Sequence, residues 1–252
     1  MRTILFIIIS FALLGQNCSG QIEKNIVILT VKDDRIELMN VLSFLRASNS
    51  KLTCLNVNLS NCNQDSIDSQ LSEELHKFDS LVVPSKVRPY GTGKYRDIRL
   101  LCSYFYSNGQ KDGFVNLISS DYLNQVEKFK TKNIYRSENF FSGEIVEIIR
   151  YHFAVNIAFA INAEKTKKFI ESNSDTVKID FSRKREFETC SFDQFVEGKI
   201  DKKILEGRVV VIATSLPSDY LLVPSHEGKI GEFRKMSTSE IFANIACQII
   251  GE

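Results

Sequence analysis

Five consecutive apolar residues, Val209-Val210-Val211-Ile212-Ala213, constrain this chain more than any other stretch. A short run with no polar alternation fits a strand covered on both faces, as in a parallel sheet between helices. Thr214-Ser215-Leu216-Pro217-Ser218-Asp219-Tyr220 follows, then Pro224, then a helix beginning near Ser239. Loops leaving the carboxyl ends of such strands are where open α/β sheets bind ligands. The run therefore predicts a fold class and also the edge of that fold where a site belongs.

One soluble domain is expected. With 252 residues, 43% hydrophobic and 25% charged, the chain can bury a large core and lies outside the disordered class. Its four prolines are dispersed, and no Pro/Gly/Ser-rich linker, repeat or low-complexity segment divides it. The net charge is +1, and no basic-aromatic stretch appears, which argues against nucleic acid as a partner. Lys165-Thr166-Lys167-Lys168 reads as a solvated helix face.

Residues 1–20 read as a signal peptide and 21–252 as the domain. Arg2 precedes an uncharged apolar run, Ile4 to Leu14, much shorter than the ~20 residues that span a bilayer. Cys18-Ser19-Gly20 before Gln21 supplies small residues for cleavage. Acylation of Cys18 and retention as an anchor are the alternatives, and membrane contact is expected only through this leader. Every one of these readings places the domain outside the cytoplasm, in the periplasm or beyond the cell.

Export makes the cysteines worth following. Cys54, Cys62, Cys102, Cys190 and Cys247 are an odd set spread through a large domain, unlike the dense framework of a small secreted scaffold. Cys54 and Cys62 are close enough in sequence to close a short bridge; buried free thiols are the stronger reading. His76, His152 and His226 are far apart, and neither CxxC nor HExxH occurs, so no metal site is assigned.

Strands and helices alternate. Ile26–Leu29 is an apolar run entering Lys32-Asp33-Asp34, and Leu38, Val41, Leu42 and Leu45 mark a helix at i, i+3, i+4, i+7. A strand follows around Leu52–Leu59, then a helix marked by Ile67, Leu71 and Leu75 with Asp65 or Ser66 as N-cap, then Leu81-Val82-Val83 before Pro84. This βαβαβ order calls for an α/β fold: a mixed, mainly parallel central sheet flanked by helices, in a single domain. Further on, Gly113–Ile118 reads as a strand, Glu144–Ala163 as one long core helix and Thr176–Ser182 as a half-exposed strand. Phe192, Phe195 and Val196 form a short helical face, and Ser237-x-x-Glu240 fits a capping box opening the last helix.

In this order the elements resemble the second type of CHASE domain, the cyclase/histidine-kinase-associated sensory extracellular family, over roughly residues 25 to 250. Ile26–Asp34 is similar to its opening strand, which ends in an acidic residue. Asp68-x-x-Leu71-Ser72-x-x-Leu75 resembles its D-x-x-L-A-x-x-L helix, and Leu81-Val82-Val83-Pro84 the strand after it. Lys178-Ile179-Asp180-Phe181, then Phe192, Gly198 and Leu205-Glu206-Gly207-Arg208-Val209-Val210-Val211-Ile212 resemble its I-x-F strand and L-x-G-K-I-V-L-I-G run. Asp219, Pro224 and Glu240-Ile241-Phe242-Ala243-Asn244 resemble the loop and E-I-H-A-N helix that follow. The chain departs from the pattern at Ala213 (glycine in the family), Phe242 (histidine) and Asn56 (aspartate), and no D-x-D-G run stands near Asp121. The resemblance implies a sensory module. Family members are usually joined through transmembrane helices to kinase or cyclase outputs; no such helix follows Ile250 here, so a free-standing exported relative is expected.

No enzyme signature competes with this reading. There is no G-x-S-x-G elbow. Gly91-Thr92-Gly93-Lys94 lacks the glycine that a phosphate loop needs at position 88, where Arg88 stands, and has Tyr95 after the lysine, so it reads as a turn. The expected ligand-binding residues are Asp33, Asp34, Asn58, Thr214, Ser215 and Asp219, at the carboxyl ends of neighbouring strands, with Asn56 beside them. Asp33 and Asp34 also suit a solvated strand end, and Thr214, Ser215 and Asp219 suit an ordinary turn. The expected partner is a small polar ligand or an envelope signalling protein; no catalytic residue and no cofactor are assigned. The alternatives are an exported metal-dependent hydrolase with an acidic site and a non-catalytic docking module.

Overall fold

Hydrophobic patterning organises the chain around one sheet with two unlike faces. The computed structural model describes residues 21–89, 95–106, 110–120, 125–138, 145–214, 216–225 and 232–251. The leader, Gly91–Lys94, Asp121 and Ser215 therefore lie outside the described residues.

The first half runs β1 (Gln21–Val31), α1 (Arg35–Arg46), β2 (Leu52–Asn56), α2 (Ser66–His76), β3 (Leu81–Pro89), β4 (Tyr95–Arg99), β5 (Lys111–Phe114) and β6 (Leu117–Ser119). Next come β7 (Val126–Lys130), β8 (Lys132–Glu138), β9 (Ile145–Tyr151), α3 (Phe153–Ile161), α4 (Ala163–Ser172), β10 (Thr176–Lys178) and β11 (Arg185–Ser191). The chain continues with α5 (Phe192–Val196), β12 (Val209–Thr214), β13 (Tyr220–Pro224), β14 (Phe233–Ser237) and α6 (Thr238–Ile250).

The main sheet has the order β11-β1-β12-β2-β3-β4, with β5 also paired to β3. Every pairing in it is parallel except β3 with β4. β12 sits between β1 and β2, with Val211 opposite Ile28 on one side and Cys54 on the other. All five residues of its apolar run are buried, as the missing polar face demands.

Alternation divides each strand between two cores. Val27, Leu29, Leu55, Val83, Val210 and Ile212 face α1, α2 and α5. Ile26, Cys54, Val82, Val209 and Val211 face α3 and α6. Small antiparallel sheets, β10-β7-β6 and β13-β14, add Phe129, Val126, Val223 and Met236 to that second core. Helix ends follow the local signals: Asp34 caps α1, Asp65 caps α2, and Ser237 and Glu240 form the capping box of α6. Gly251, with φ of 73°, closes α6 in the left-handed conformation glycine allows.

The middle of the chain departs from its sequence pattern. Residues 144–163 do not form one helix: β9 fills Ile145–Tyr151 and α3 begins only at Phe153. Ile145, Val146, Ile148 and Ile149 are β-branched and suit a strand, and β8 supplies an antiparallel partner. His152 then caps α3, while Asn162 ends α3 and caps α4. Gly113–Ile118 is split between β5 in the main sheet and β6 in a separate one. β10 stops at Lys178, although Ile179 and Phe181 still point inward. β11 has no apolar run to announce it: as an edge strand it tolerates Glu186 and Glu188, and Arg185, though buried, is held by Glu23 and Asn244.

Cys54 is no partner for Cys62, because β2 places its thiol wholly inside the core. Cys62 instead pairs with Cys102, their Cα atoms 6.1 Å apart. Lys165, Lys167 and Lys168 lie exposed on α4, and Lys168 pairs with Glu164 one turn earlier.

Candidate functional site

The sheet changes direction between β1 and β12. From β1 the chain leaves into α1, over one face; from β12 it leaves through β13 and β14 into α6, over the other. Neighbouring strands whose connections part in this way leave a crevice outside their carboxyl ends. A cavity of about 1070 Å³ occupies that position. It is large enough for a small polar molecule with part of its hydration shell.

Asp33, Asp34, Asn58, Thr214 and Asp219 all line this cavity. Ser215, the sixth expected residue, lies outside the described residues. Several of the five also hold the fold in place. The Asp34 carboxylate accepts the Ile36 N–H at 3.1 Å as the α1 cap. Asp219 accepts the Thr214 hydroxyl at 2.7 Å and the Leu216 N–H at 3.2 Å, tying the loop back to the end of β12. Asn58 accepts the Ser60 N–H at 3.1 Å. Asp33 makes no hydrogen bond or ion pair with a described residue.

Asn56, expected beside these residues, also reaches the cavity, and Asn116 joins it from outside the expected set. Asn56 donates to Thr238 at 3.0 Å and Ser239 at 2.7 Å, fastening β2 to the first turn of α6. Asn116 exchanges two hydrogen bonds with the Val87 backbone, at 2.7 and 2.9 Å, and so stands in for a strand residue beside β3. Both line the cavity, with Phe242, Leu117, Val126 and Leu221 supplying apolar wall. No local signal marks Asn116, Leu117 or Val126, since β6 and β7 are brought over the crevice by tertiary packing alone.

Three cations reach the wall: Lys32, Arg35 and Lys86. Lys32 contacts Asp193 at 2.9 Å and Glu37 at 3.3 Å, and their carboxylates hold its ammonium above its ordinary pKa. Arg35 pairs with Asp68 and donates to the Asn61 carbonyl at 2.6 Å. Asp68 is fully buried and also accepts the Asn63 and Gln64 N–H groups at 2.5 and 2.9 Å, so it pins the loop after β2. The Lys86 side chain makes no hydrogen bond or ion pair with a described residue.

Behind the cavity wall lies His152, fully buried among Phe114, Phe129 and Phe242. Its Nδ1 accepts the Ala154 N–H at 3.2 Å, and burial pushes its pKa down to about 3. It is therefore a neutral cap. Among the described residues no group of three or more His, Cys, Asp and Glu side chains converges as a metal site.

The model of the CHASE2 domain matches residues 21–252, nearly the whole chain. The chain belongs to the CHASE2 family. CHASE2 domains are extracytoplasmic sensory domains, which places this one in signal transduction. Among the described residues no helix is long and apolar enough to cross a membrane. No curated protein and no solved structure matches the chain. Two of the three positions where this CHASE2 domain departs from the family pattern, Asn56 and Phe242, line the cavity. The third, Ala213, is the penultimate residue of β12 beside it.

Proposed function

We propose that this CHASE2 domain is an exported sensor that binds a small polar ligand in the crevice between β1, β12 and β2. One observation carries the reading: carboxylates, amides and hydroxyls from three strand ends share one cavity at the point where the connections diverge. Asp33, Asp34, Asn58, Thr214 and Asp219 are the proposed contacts, with Asn56 holding the crevice open between β2 and α6. Ligand held there touches elements from both faces of the sheet, so binding changes how α1 and α6 are held relative to each other. A ligand can drive a sensor only through such a difference in affinity between states.

Thermal-shift screening of the purified protein against metabolites and divalent metals tests the proposal. A stabilising metabolite is expected; Asp33→Ala should abolish its effect while melting close to the parent when unliganded, and Asp219→Ala should abolish it while melting lower, since the Thr214 and Leu216 hydrogen bonds go with it. Ligand stabilisation unchanged in both variants would move the site elsewhere. Mass spectrometry of the native protein tests export: an N-terminus near Gln21 is expected, and a cytoplasmic species retaining Met1 would contradict it.

A further inference from the structure

The charges on the crevice wall are sorted by strand. All three carboxylates stand on one side: Asp33 and Asp34 follow β1, and Asp219 is bonded to the end of β12. The amides Asn56 and Asn58 come next, at and just past the end of β2. Lys86 stands on the far side, on β3. The other two cations are already neutralised, Lys32 by Asp193 and Glu37 and Arg35 by Asp68. The field across the cavity therefore runs from carboxylate at β1 and β12 to the Lys86 ammonium at β3, which has no ion-pair partner among the described residues.

The separation of these poles follows from the sheet. β12 and β3 are separated by β2, two strand spacings. Beyond the end of β2 the gap widens, because residues 100–102 wedge in: the Leu100 N–H donates to the Pro84 carbonyl, and the Leu59 N–H donates to the Leu100 carbonyl. Counting that wedge, the Asp219 pole stands about three spacings from β3 and the Asp33 pole about four, roughly 14–19 Å between strand axes. The ammonium and carboxylate of a free amino acid are much too close to reach both. Less about 3 Å of charge-assisted contact at each end, an extended peptide of about three or four residues covers that distance at ~3.3–3.6 Å per residue. Apolar wall from Leu117, Val126 and Phe242 lies beside this line, and Asn58 stands along it with its amide N–H groups available to a peptide carbonyl.

We infer that the crevice takes a zwitterionic short peptide, its amino terminus toward Asp33 and Asp219 and its carboxylate toward Lys86. This rests on the crevice being the ligand site and adds the class and orientation of the ligand. Opposite charges at both ends make the fit directional, so that neutralising either end should weaken binding.

Calorimetry on the purified chain with trialanine, N-acetyl-trialanine, trialanine amide and free alanine tests it. Trialanine should bind, with each end-blocked form at least tenfold weaker and free alanine weaker still. Lys86→Met should bind trialanine and its amide equally, and the double variant Asp33→Ala/Asp219→Ala should no longer distinguish trialanine from its acetylated form. Trialanine binding no tighter than alanine, or indifferent to both blocks, overturns the inference. If it fails while some non-peptide metabolite stabilises the chain and loses that effect in Asp33→Ala, the crevice remains the site and only the peptide is excluded. If no ligand responds to any of these substitutions, both readings fall.

Discussion

Placing a carboxylate at Val211 tests the architecture that positions the crevice. Val211 is fully buried in β12, opposite Ile28 and Cys54, with Phe242 and the rest of α6 over its face. Val211→Asp loses the burial of a valine side chain, about 2 kcal/mol. It also puts an ionisable group where charge is not tolerated. Such a group stays neutral in the folded state, and holding a carboxyl of ordinary pKa ~3.9 protonated at pH 7 costs about 4 kcal/mol. The protonated acid, without a hydrogen-bond partner among apolar neighbours, adds about 1–3 kcal/mol. Together these approach the ~5–15 kcal/mol that a domain has in total. The sign of the pH effect follows from linkage: the unfolded chain has lost this proton at pH 7 and the folded chain keeps it, so acid favours folding. Urea denaturation followed by circular dichroism, with Val211→Ala as control for the lost packing, separates the two parts. The aspartate variant should be the less stable by about 5 kcal/mol or more at pH 7. That gap should close by ~1.4 kcal/mol per unit as pH falls from 7 toward 5. A gap below 1 kcal/mol, or one independent of pH, would mean that β12 is not central and that the crevice has been placed on the wrong strands.

Other perturbations probe the surroundings. His152 has a folded pKa of about 3 against an ordinary value near 6.5, so its contribution is whole above pH 6.5 and declines as pH falls toward 3; His152→Asn, which keeps a capping oxygen, should flatten stability between pH 6.5 and 5 in urea melts. Gly113→Ala should cost about 2 kcal/mol in the same assay, since its Cβ would lie 2.7 Å from the Phe153 Cα, where β5 crosses α3. Replacing Cys62 and Cys102 by serine removes a link across 40 residues of sequence and should cost about 4 kcal/mol. Native protein should resist alkylation at Cys54, Cys190 and Cys247, all buried, with burial pushing the Cys190 thiol up to about 12; labelling should appear only on unfolding.

The parts legible in the sequence are those whose burial is decided locally. Leu38, Val41, Leu42 and Leu45 lie on one stripe of α1, and all four are buried where helical spacing put them. The Val209–Ala213 run is buried on both faces because α1, α2 and α5 cover one side of the sheet and α3 and α6 the other, and nothing polar in it asks for water. Residues 145–151 were misread for a related reason: Ile145, Val146, Ile148, Ile149 and Tyr151 satisfy helical and strand patterns alike. The arbiter is the antiparallel pairing with β8, from Glu138 opposite Ile145 to Lys132 opposite Tyr151, which the pattern of residues 145–151 by itself does not carry. The edge strand β11 went unseen because its single partner, β1, is more than 150 residues away in sequence and only half of it needs to be apolar.

The candidate site divides along the same line. Asp33, Asp34, Thr214 and Asp219 could be named because a strand end followed by a turn is written in consecutive residues, and β1 and β12 prove to be neighbours. Lys86, Asn116 and Phe242 could not, because each reaches the crevice through packing: Lys86 by the extension of β3 past Pro84, Asn116 by its two bonds to Val87, and Phe242 by the seating of α6 against the sheet. The acidic pole of the cavity is thus a property of local sequence, and its basic pole is a property of topology. Each pole alone is an ordinary solvated strand end; only the insertion of β12 and β2 between them fixes their separation. A change that slipped β3 by one residue would turn Lys86 to the opposite face of the sheet, leaving the carboxylates without their counterpart.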